Sequence, residues 1–487
     1  MPNGNKLQAV IFDFDNTIAP TDGFQVFRTK HDTRGLEQYL REQEFKMFDG
    51  IGFLLNDLCH NQIPVAIVTN SPRWYVDCLL EHLGIQNSFD VIISYNDVVD
   101  EIKPSPKGIL LALEAMKLGS AQNIIYIGDD KNDVIAAYRA GVVPIIGRWT
   151  TSKEPISYMP FGVLSTQNLV DASREGLHKF ELTAEKCSID LSSEGKKTNV
   201  LPLDEASKLV YYHKDAVIFS FGRYFPLSSE ASAKLHNNHA LTKQISEKMV
   251  SDANYKVPSH WATIFRQFIG GLEIFKKIDF DIITVIPAKK GKVKRLENML
   301  SNIQGASNEA DKMFLQDLFY FEDNSVPTKT LNRFERYNQI DKALKITNLH
   351  ASKIREANVI VIDDVSTSGA TLSSAIKTLK SYGAKNVYGL CIAKTVSLPE
   401  DKTCPVCHTK LKINTVKNTG GQFWYCPKKD INGTYENHFI ENIKEKDCSK
   451  CGRPMFKRFN PRDKSVFLGC SGYRDSKNDC SHTEKVS

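Results

Sequence analysis

Long apolar runs are missing from this 487-residue chain. None approaches the ~18 residues that a membrane-spanning helix needs, so no membrane partner is expected. Cysteine is scarce over most of the length: of 11 in all, only Cys59, Cys78, Cys187 and Cys391 precede residue 400. They are too scattered to read as a disulfide framework, which suits a reducing compartment. Net charge is lacking over the same stretch, with 46 Lys and Arg against 47 Asp and Glu before residue 401. A signal peptide has no room, because the first strand begins by about Val10. A cytoplasmic protein is the expectation. The balance of 41% apolar and 25% charged residues is that of an ordinary globular chain, and the length suggests about three domains.

Charge and cysteine both collect at the end. Residues 401–487 hold 17 Lys and Arg against 10 Asp and Glu, and seven of the 11 cysteines. Upstream, from Val10 to about residue 176, short apolar strands alternate with amphipathic helices. Strand-like runs lie at 65–69, 91–94, 124–127 and 142–146, while Ile51, Leu54, Leu55 and Leu58 follow helical spacing. This alternation predicts an α/β class with a doubly wound parallel sheet over residues 1–176. Residues 177–204 read as a linker, polar and poorly periodic over 183–204. A second α/β domain is expected over 205–400, with strands at 216–219, 282–286, 359–362 and 387–393. The tail divides into 401–446 and 447–487.

In open parallel sheets ligands bind at the C-terminal ends of strands. The apolar run Val10-Ile11-Phe12 delivers Asp13 and Asp15 at such an end, followed by Thr17. Downstream come Val68-Thr69-Asn70, then Lys103-Pro104, then Gly128-Asp129-Asp130-Lys131-Asn132-Asp133. These four elements, in this order, resemble the haloacid dehalogenase superfamily of phosphatases over roughly the first 176 residues. The resemblance implies that Asp13 takes the phosphoryl group as an aspartyl-phosphate. Asp15 would be general acid and base, Thr69 a phosphoryl hydrogen-bond donor, and Lys103 the neutralising cation. Asp13, Asp15, Asp129 and Asp133 would hold Mg²⁺, a hard cation suited to clustered carboxylates. Asp130 is either a supporting group or an exposed one. Only residues 19–46 separate this strand end from a first helix near Phe48, and neither later interval has room for a large cap. A minimal cap and an open site for a bulky phosphorylated substrate are expected.

A second strand end carries Asp363 and Asp364 after Val359-Ile360-Val361-Ile362, then Val365-Ser366-Thr367-Ser368-Gly369-Ala370-Thr371. This stretch resembles the phosphoribosyl-diphosphate (PRPP) motif of type I phosphoribosyltransferases. Arg333-Phe334-Glu335-Arg336-Tyr337-Asn338 is similar to the ER-x-x-N stretch of ComF-like members. The likeness implies that Asp363 and Asp364 accept the ribose hydroxyls and help hold Mg²⁺. The loop Thr367, Ser368, Gly369, Ala370 and Thr371, at a helix N-terminus, would cradle the 5′-phosphate. Lys289 and Lys290 would meet the pyrophosphate. Purine-salvage relatives carry an acid where Thr367 stands, so simple hypoxanthine or guanine salvage is not expected, and binding of PRPP is a safer expectation than its chemistry.

In the tail, Cys404-x2-Cys407 and Cys426 recur 44 residues later as Cys448-x2-Cys451 and Cys470, with 18 residues between second and third cysteine in both copies. The same offset maps His438 onto His482, and the second copy also offers Cys480. The expected structural zinc sites are Cys404, Cys407, Cys426 and His438, then Cys448, Cys451, Cys470 and Cys480. Residues 448–473 resemble the C-terminal zinc ribbons of bacterial type I topoisomerases, which implies binding of single-stranded DNA or RNA. Phe423, Trp424, Tyr425, Phe467 and Tyr473 interleave with Lys457, Arg458, Arg462 and Lys464, as stacking on bases and contact with phosphates require. The other use of these aromatics is to shield the zinc cores while the tail docks a protein.

Two functions are therefore in view. One is a phosphatase joined to a PRPP-binding transferase domain in nucleotide or nucleoside-like metabolism, where the first site removes a 5′-phosphate that the second attaches. The alternative is a nucleic-acid end-processing phosphatase in which the PRPP domain senses nucleotides.

Overall fold

Six short strands form one all-parallel sheet in the computed structural model. They are β1 Ala9–Phe12, β2 Val65–Val68, β3 Val91–Ile93, β4 Ile124–Gly128, β5 Val143–Gly147 and β6 Gly162–Leu164, in the order β3-β2-β1-β4-β5-β6. The order reverses between β1 and β4, so a crevice opens at their carboxyl ends. β1, β2 and β4 are buried throughout, which is why they read as continuous apolar runs rather than alternating ones. The structure describes residues 6–99, 101–119, 123–150, 156–186, 198–227, 229–250, 257–305, 311–322 and 340–399. In the tail it describes 404, 406–407, 411–416, 419, 421–426, 428, 440–442, 445–463, 465–473 and 480–485. Two compact units result, Met1–Leu398 and Pro399–Ser487.

The short segment after Asp15 differs from expectation. Helices at Gln25–Lys30 and Thr33–Glu42 precede Phe48. Asp32 caps the second by accepting from the Gly35 N–H at 2.9 Å, and its apolar pair Leu36 and Leu40, one turn apart, is buried. A single apolar pair in a polar ten-residue helix left little periodic signal.

A second sheet has the order β11-β10-β14-β15-β8-β7. Its strands are β7 Leu201–Leu203, β8 Ile218–Ser220, β10 Ile282–Val285, β11 Met313–Leu315, β14 Asn358–Ser366 and β15 Asn386–Thr395, while β9 Arg223–Tyr224 pairs with the end of β15. All are parallel except β7, which pairs antiparallel with β8. A separate hairpin pairs β12 Phe319–Phe321 with β13 Leu344–Ile346.

The expected linker is not one over its described parts. Leu182 and Ala184 are buried, and β7 lies within the 177–204 interval. One apolar cluster runs across both sheets, from Val134, Tyr138 and Met159 to Leu203, Leu209 and Phe225. A buried ion pair seals this junction: Arg223 meets Glu185 at 2.6 Å and donates to the Tyr138 hydroxyl at 2.9 Å. Burial raises the Glu185 carboxyl, but Arg223 and His239 outweigh it and hold it well below the usual carboxylate range. Removing one partner strands a buried charge, so Arg223→Ala is expected to cost about 3–5 kcal/mol, read as a lowered urea midpoint.

Candidate functional site

Asp13 leaves the end of β1 with its N–H on the Ile127 carbonyl at 2.8 Å, so the two central strands fix its backbone. Its buried carboxylate meets the Lys103 ammonium at 2.5 Å, and Lys103 also reaches Asp133 at 2.7 Å and the Tyr126 hydroxyl at 2.9 Å. Asn70 holds Lys103 by its backbone, accepting from its N–H at 2.8 Å and donating to its carbonyl at 3.2 Å. Thr69 lies buried at the end of β2 and accepts the Ser71 N–H at 3.1 Å.

Asp15 sits apart from Lys103, in a different electrostatic setting. Its carboxylate accepts from Arg28 at 3.0 Å, from the Tyr75 hydroxyl at 3.0 Å, and from the Ser71 hydroxyl. Arg28 comes from the helix Gln25–Lys30, so the small helical insert supplies a wall of the site. Asp13, Asp15, Arg28, Thr69, Lys103 and Asp129 line one cavity of about 240 Å³.

The metal question turns on which carboxylates have spare oxygens. Asp13, Asp129 and Asp133 offer oxygens within 4.8 Å of one another. Both Asp133 oxygens are engaged: one by Lys103 and Tyr126, the other by the N–H groups of Asp129 and Asp130 at 3.1 and 3.2 Å. Asp133 therefore shapes the loop, and Asp13 and Asp129 are the better placed to grip an ion. Burial pushes the Asp129 carboxyl up to about 9, with Asp133 and Asp13 adding to it. Burial likewise lifts Asp13 to about 8 against the pull of Lys103. Two acids so disfavoured as bare anions are a fitting donor set for a hard divalent cation. Asp130 caps the helix Lys131–Ala140, accepting from Asn132 and Asp133 N–H groups. Asp15, named from sequence as a further magnesium ligand, is outside the three-acid cluster and is tied to Arg28, Ser71 and Tyr75.

The haloacid dehalogenase-like hydrolase family matches residues 25–146. The N-terminal region is a haloacid dehalogenase-like domain. A phosphoglycolate phosphatase of Yersinia pestis is 39% identical over 106 residues, 22% of this chain and 44% of the relative. One from Escherichia coli K12 is 37% identical over 101 residues, 21% of this chain and 39% of the relative. The chain thus spans less than half the length of these curated relatives. A HAD-superfamily hydrolase of known structure from Ehrlichia chaffeensis is 24% identical, covers 35% of this chain and 97% of its own, and has a TM-score of 0.26. The haloacid dehalogenase-like domain's supporting residues Arg28, Ser71, Tyr75 and Tyr126 were not singled out from sequence. Ser71-Pro72 opening a helix was the one local signal available.

In the second sheet, the order also reverses, between β10 and β14. A cavity of about 560 Å³ opens there, lined by Pro287, Lys289, Arg295, Glu297, Asp363 and Asp364 among others. A smaller hollow of about 130 Å³ adjoins it, formed by residues 365–372 at the start of the helix Ala370–Ser381. Thr367, Ser368, Gly369, Ala370 and Thr371 all line that hollow, and the buried Lys394 donates to the Thr367 carbonyl at 2.6 Å. Lys289 lines the larger cavity; Lys290 is exposed and is not among its lining residues. The 333–338 stretch lies outside the described residues.

In the tail, Cys448, Cys451, Cys470 and Cys480 bring four sulfurs within 4.8 Å of one another, as tetrahedral zinc requires. Burial raises the Cys448 thiol, but the N–H groups of Lys450 and Cys451 outweigh it and bring it down to about 6. His482 instead contacts Ser449 at 3.0 Å and Glu484 at 3.1 Å. Cys404, Cys407 and Cys426 form the matching cluster of the first copy, while His438 lies outside the described residues. Trp424 is partly buried and packs on that cluster. Tyr473 is exposed, Lys457 is paired with Glu445 at 3.2 Å, and Lys464 lies outside the described residues. Among the described residues no helix is long and apolar enough to cross a membrane.

Proposed function

We propose that this protein is a Mg²⁺-dependent phosphatase acting through an aspartyl-phosphate on Asp13, joined to a PRPP-binding phosphoribosyltransferase-like domain and a nucleic-acid-binding zinc-ribbon tail. One observation carries the first part. A buried carboxylate on Lys103, facing Asp129, shares its cavity with a second acid held apart by Arg28, Ser71 and Tyr75. That separation suits two roles. An Asp13 oxygen bonds to phosphorus as the ester P–O bond breaks, while Asp15 gives its proton to the departing oxygen. Asp15 then takes a proton from water as its oxygen attacks phosphorus, and the Asp13 carboxylate leaves. Asp13 and Asp129 would hold a magnesium ion, which would supply charge neutralisation for the phosphoryl oxygens. The phosphatase relatives, matched over about a quarter of the chain or less, support monoester hydrolysis.

The second crevice favours PRPP by its two parts, an acidic strand end beside a hydroxyl-rich hollow at a helix N-terminus. Transfer of a 5-phosphoribosyl group there would furnish a 5′-phosphate for the first site to remove. Gly369 sits at φ +84°, and an added Cβ would meet the Ser207 Cβ at 2.2 Å. Gly369→Ala is therefore expected to weaken PRPP binding about tenfold or more, measured by calorimetry. The general test supplies Mg²⁺ with phosphomonoesters, phosphorylated oligonucleotides, and PRPP with a panel of bases. Phosphate release without Mg²⁺ dependence sinks the first half, and absence of PRPP binding sinks the second. Retention on single-stranded DNA or RNA that truncation at residue 400 leaves unchanged sinks the tail assignment.

A further inference from the structure

We propose that Tyr211, outside the haloacid dehalogenase-like domain, is a positioning residue of the first site and that the hairpin carrying it ties this site to the 366–371 loop. This rests on the reading of Asp13 and Asp129 as holders of the metal. The Asp129 N–H is fixed from within its own domain by Asp133 at 3.1 Å. Its carbonyl is fixed from the second domain, accepting the hydroxyl of the buried Tyr211 at 2.9 Å. Both polar groups of the Asp129 backbone are thus pinned, which fixes the Cα from which its carboxylate projects toward Asp13. The hydroxyl completes that restraint.

Tyr211 is itself held by a short hairpin over 201–211. β7 runs out, the Asp204 N–H bonds the Lys208 carbonyl at 2.8 Å across the tip, and Leu209 returns beside Leu203. Leu209 also exchanges backbone hydrogen bonds with Ile156 at 2.8 and 3.1 Å, which anchors the return arm on the first domain. The tip lies against the other site. Ser207 and Ser366 hydroxyls meet at 3.0 Å, Ser373 donates to the Glu205 carbonyl, and Gly369 has no room for a Cβ because of Ser207. One rigid turn therefore touches the anion hollow at its tip and the metal loop at its base. Pushing on the tip should be felt at Asp129, through the Tyr211 hydroxyl.

The test is Mn²⁺ binding to the full chain, followed by electron paramagnetic resonance and assigned to the site that Asp129→Asn abolishes. Tyr211→Phe removes one hydrogen bond and keeps the ring, so Mn²⁺ affinity should fall about three- to tenfold with the melting temperature little changed. Gly369→Ala, which must displace Ser207, should weaken Mn²⁺ in the wild-type background and add nothing in the Tyr211→Phe background, a non-additive cycle. Unchanged affinity in Tyr211→Phe overturns the proposal. So does an equal effect of Gly369→Ala in both backgrounds. A wild type with no Mn²⁺ site sensitive to Asp129→Asn overturns the metal reading itself, and this inference with it.

Discussion

Replacing Asp13 by asparagine is expected to lower Mg²⁺-dependent phosphate release by on the order of 10⁴-fold or more, the scale seen when a covalent nucleophile is removed. Asparagine keeps the size and one acceptor oxygen of the aspartate, so the Lys103 contact is not simply deleted. Lys103 also retains Asp133 and Tyr126, at 2.7 and 2.9 Å, and so is not left as an unpaired buried cation. The fold should survive, which circular dichroism and the melting temperature check. Substrate binding should fall far less than turnover, since Thr69, Lys103 and Arg28 still line the cavity. Asp15→Asn provides the contrast. It leaves the nucleophile in place and removes proton transfer, a loss of about 10²–10⁴-fold. That loss should be smallest for esters whose leaving group needs no proton, such as p-nitrophenyl phosphate. If Asp13→Asn retains a tenth of the wild-type rate, the aspartyl-phosphate mechanism is wrong.

The parts legible in the sequence are those whose chemistry is local in the chain. Asp13 and Asp15 follow a fully apolar strand, and Asp363 and Asp364 follow another, so strand ends and their acids could be read together. What could not be read is supplied from far away. Tyr75 reaches Asp15 across 60 residues, and Tyr211 reaches Asp129 across 82. No spacing rule marks such pairs. The polar 183–204 stretch suggested a tether because its buried residues are few and separated. Leu182, Ala184 and the three residues of β7 pack all the same, and Glu185 is buried only because Arg223 is there to meet it. The two folded sheets consequently share a core, where sequence alone suggested separate domains. Asp130 was open between a supporting group and an exposed one for a related reason: only the hydrogen bonds it accepts from the Asn132 and Asp133 N–H groups show it to be the helix cap.

Zinc removal should have the largest structural effect in the Pro399–Ser487 unit. Its described apolar core is small: Cys448, Met455, Leu468 and Cys470 in one cluster, and Cys404, Leu411 and Cys426 in the other. Clusters of this size do not offset the conformational entropy of the strands around them. Where such cysteine clusters bind zinc, the metal supplies the folding free energy that so small a core lacks. Cys470 is the informative position. It is buried, its sulfur accepts the Gly472 N–H at 3.3 Å, and it lies 3.3 Å from the Cys451 sulfur. Cys470→Ser is expected to reduce bound zinc from two equivalents to one, measured by atomic emission on purified protein. Amide signals from 445–485 should collapse toward unfolded positions while Met1–Leu398, with its own core, keeps its spectrum. A chelator should extend that collapse to the segment around the Cys404, Cys407 and Cys426 cluster and, on the proposed function, abolish retention on single-stranded nucleic acid. The His482→Ala variant should keep both zinc equivalents, because its ring contacts Ser449 and Glu484 rather than the sulfur cluster. Loss of a zinc equivalent in that variant would move the fourth ligand from Cys480 to the histidine.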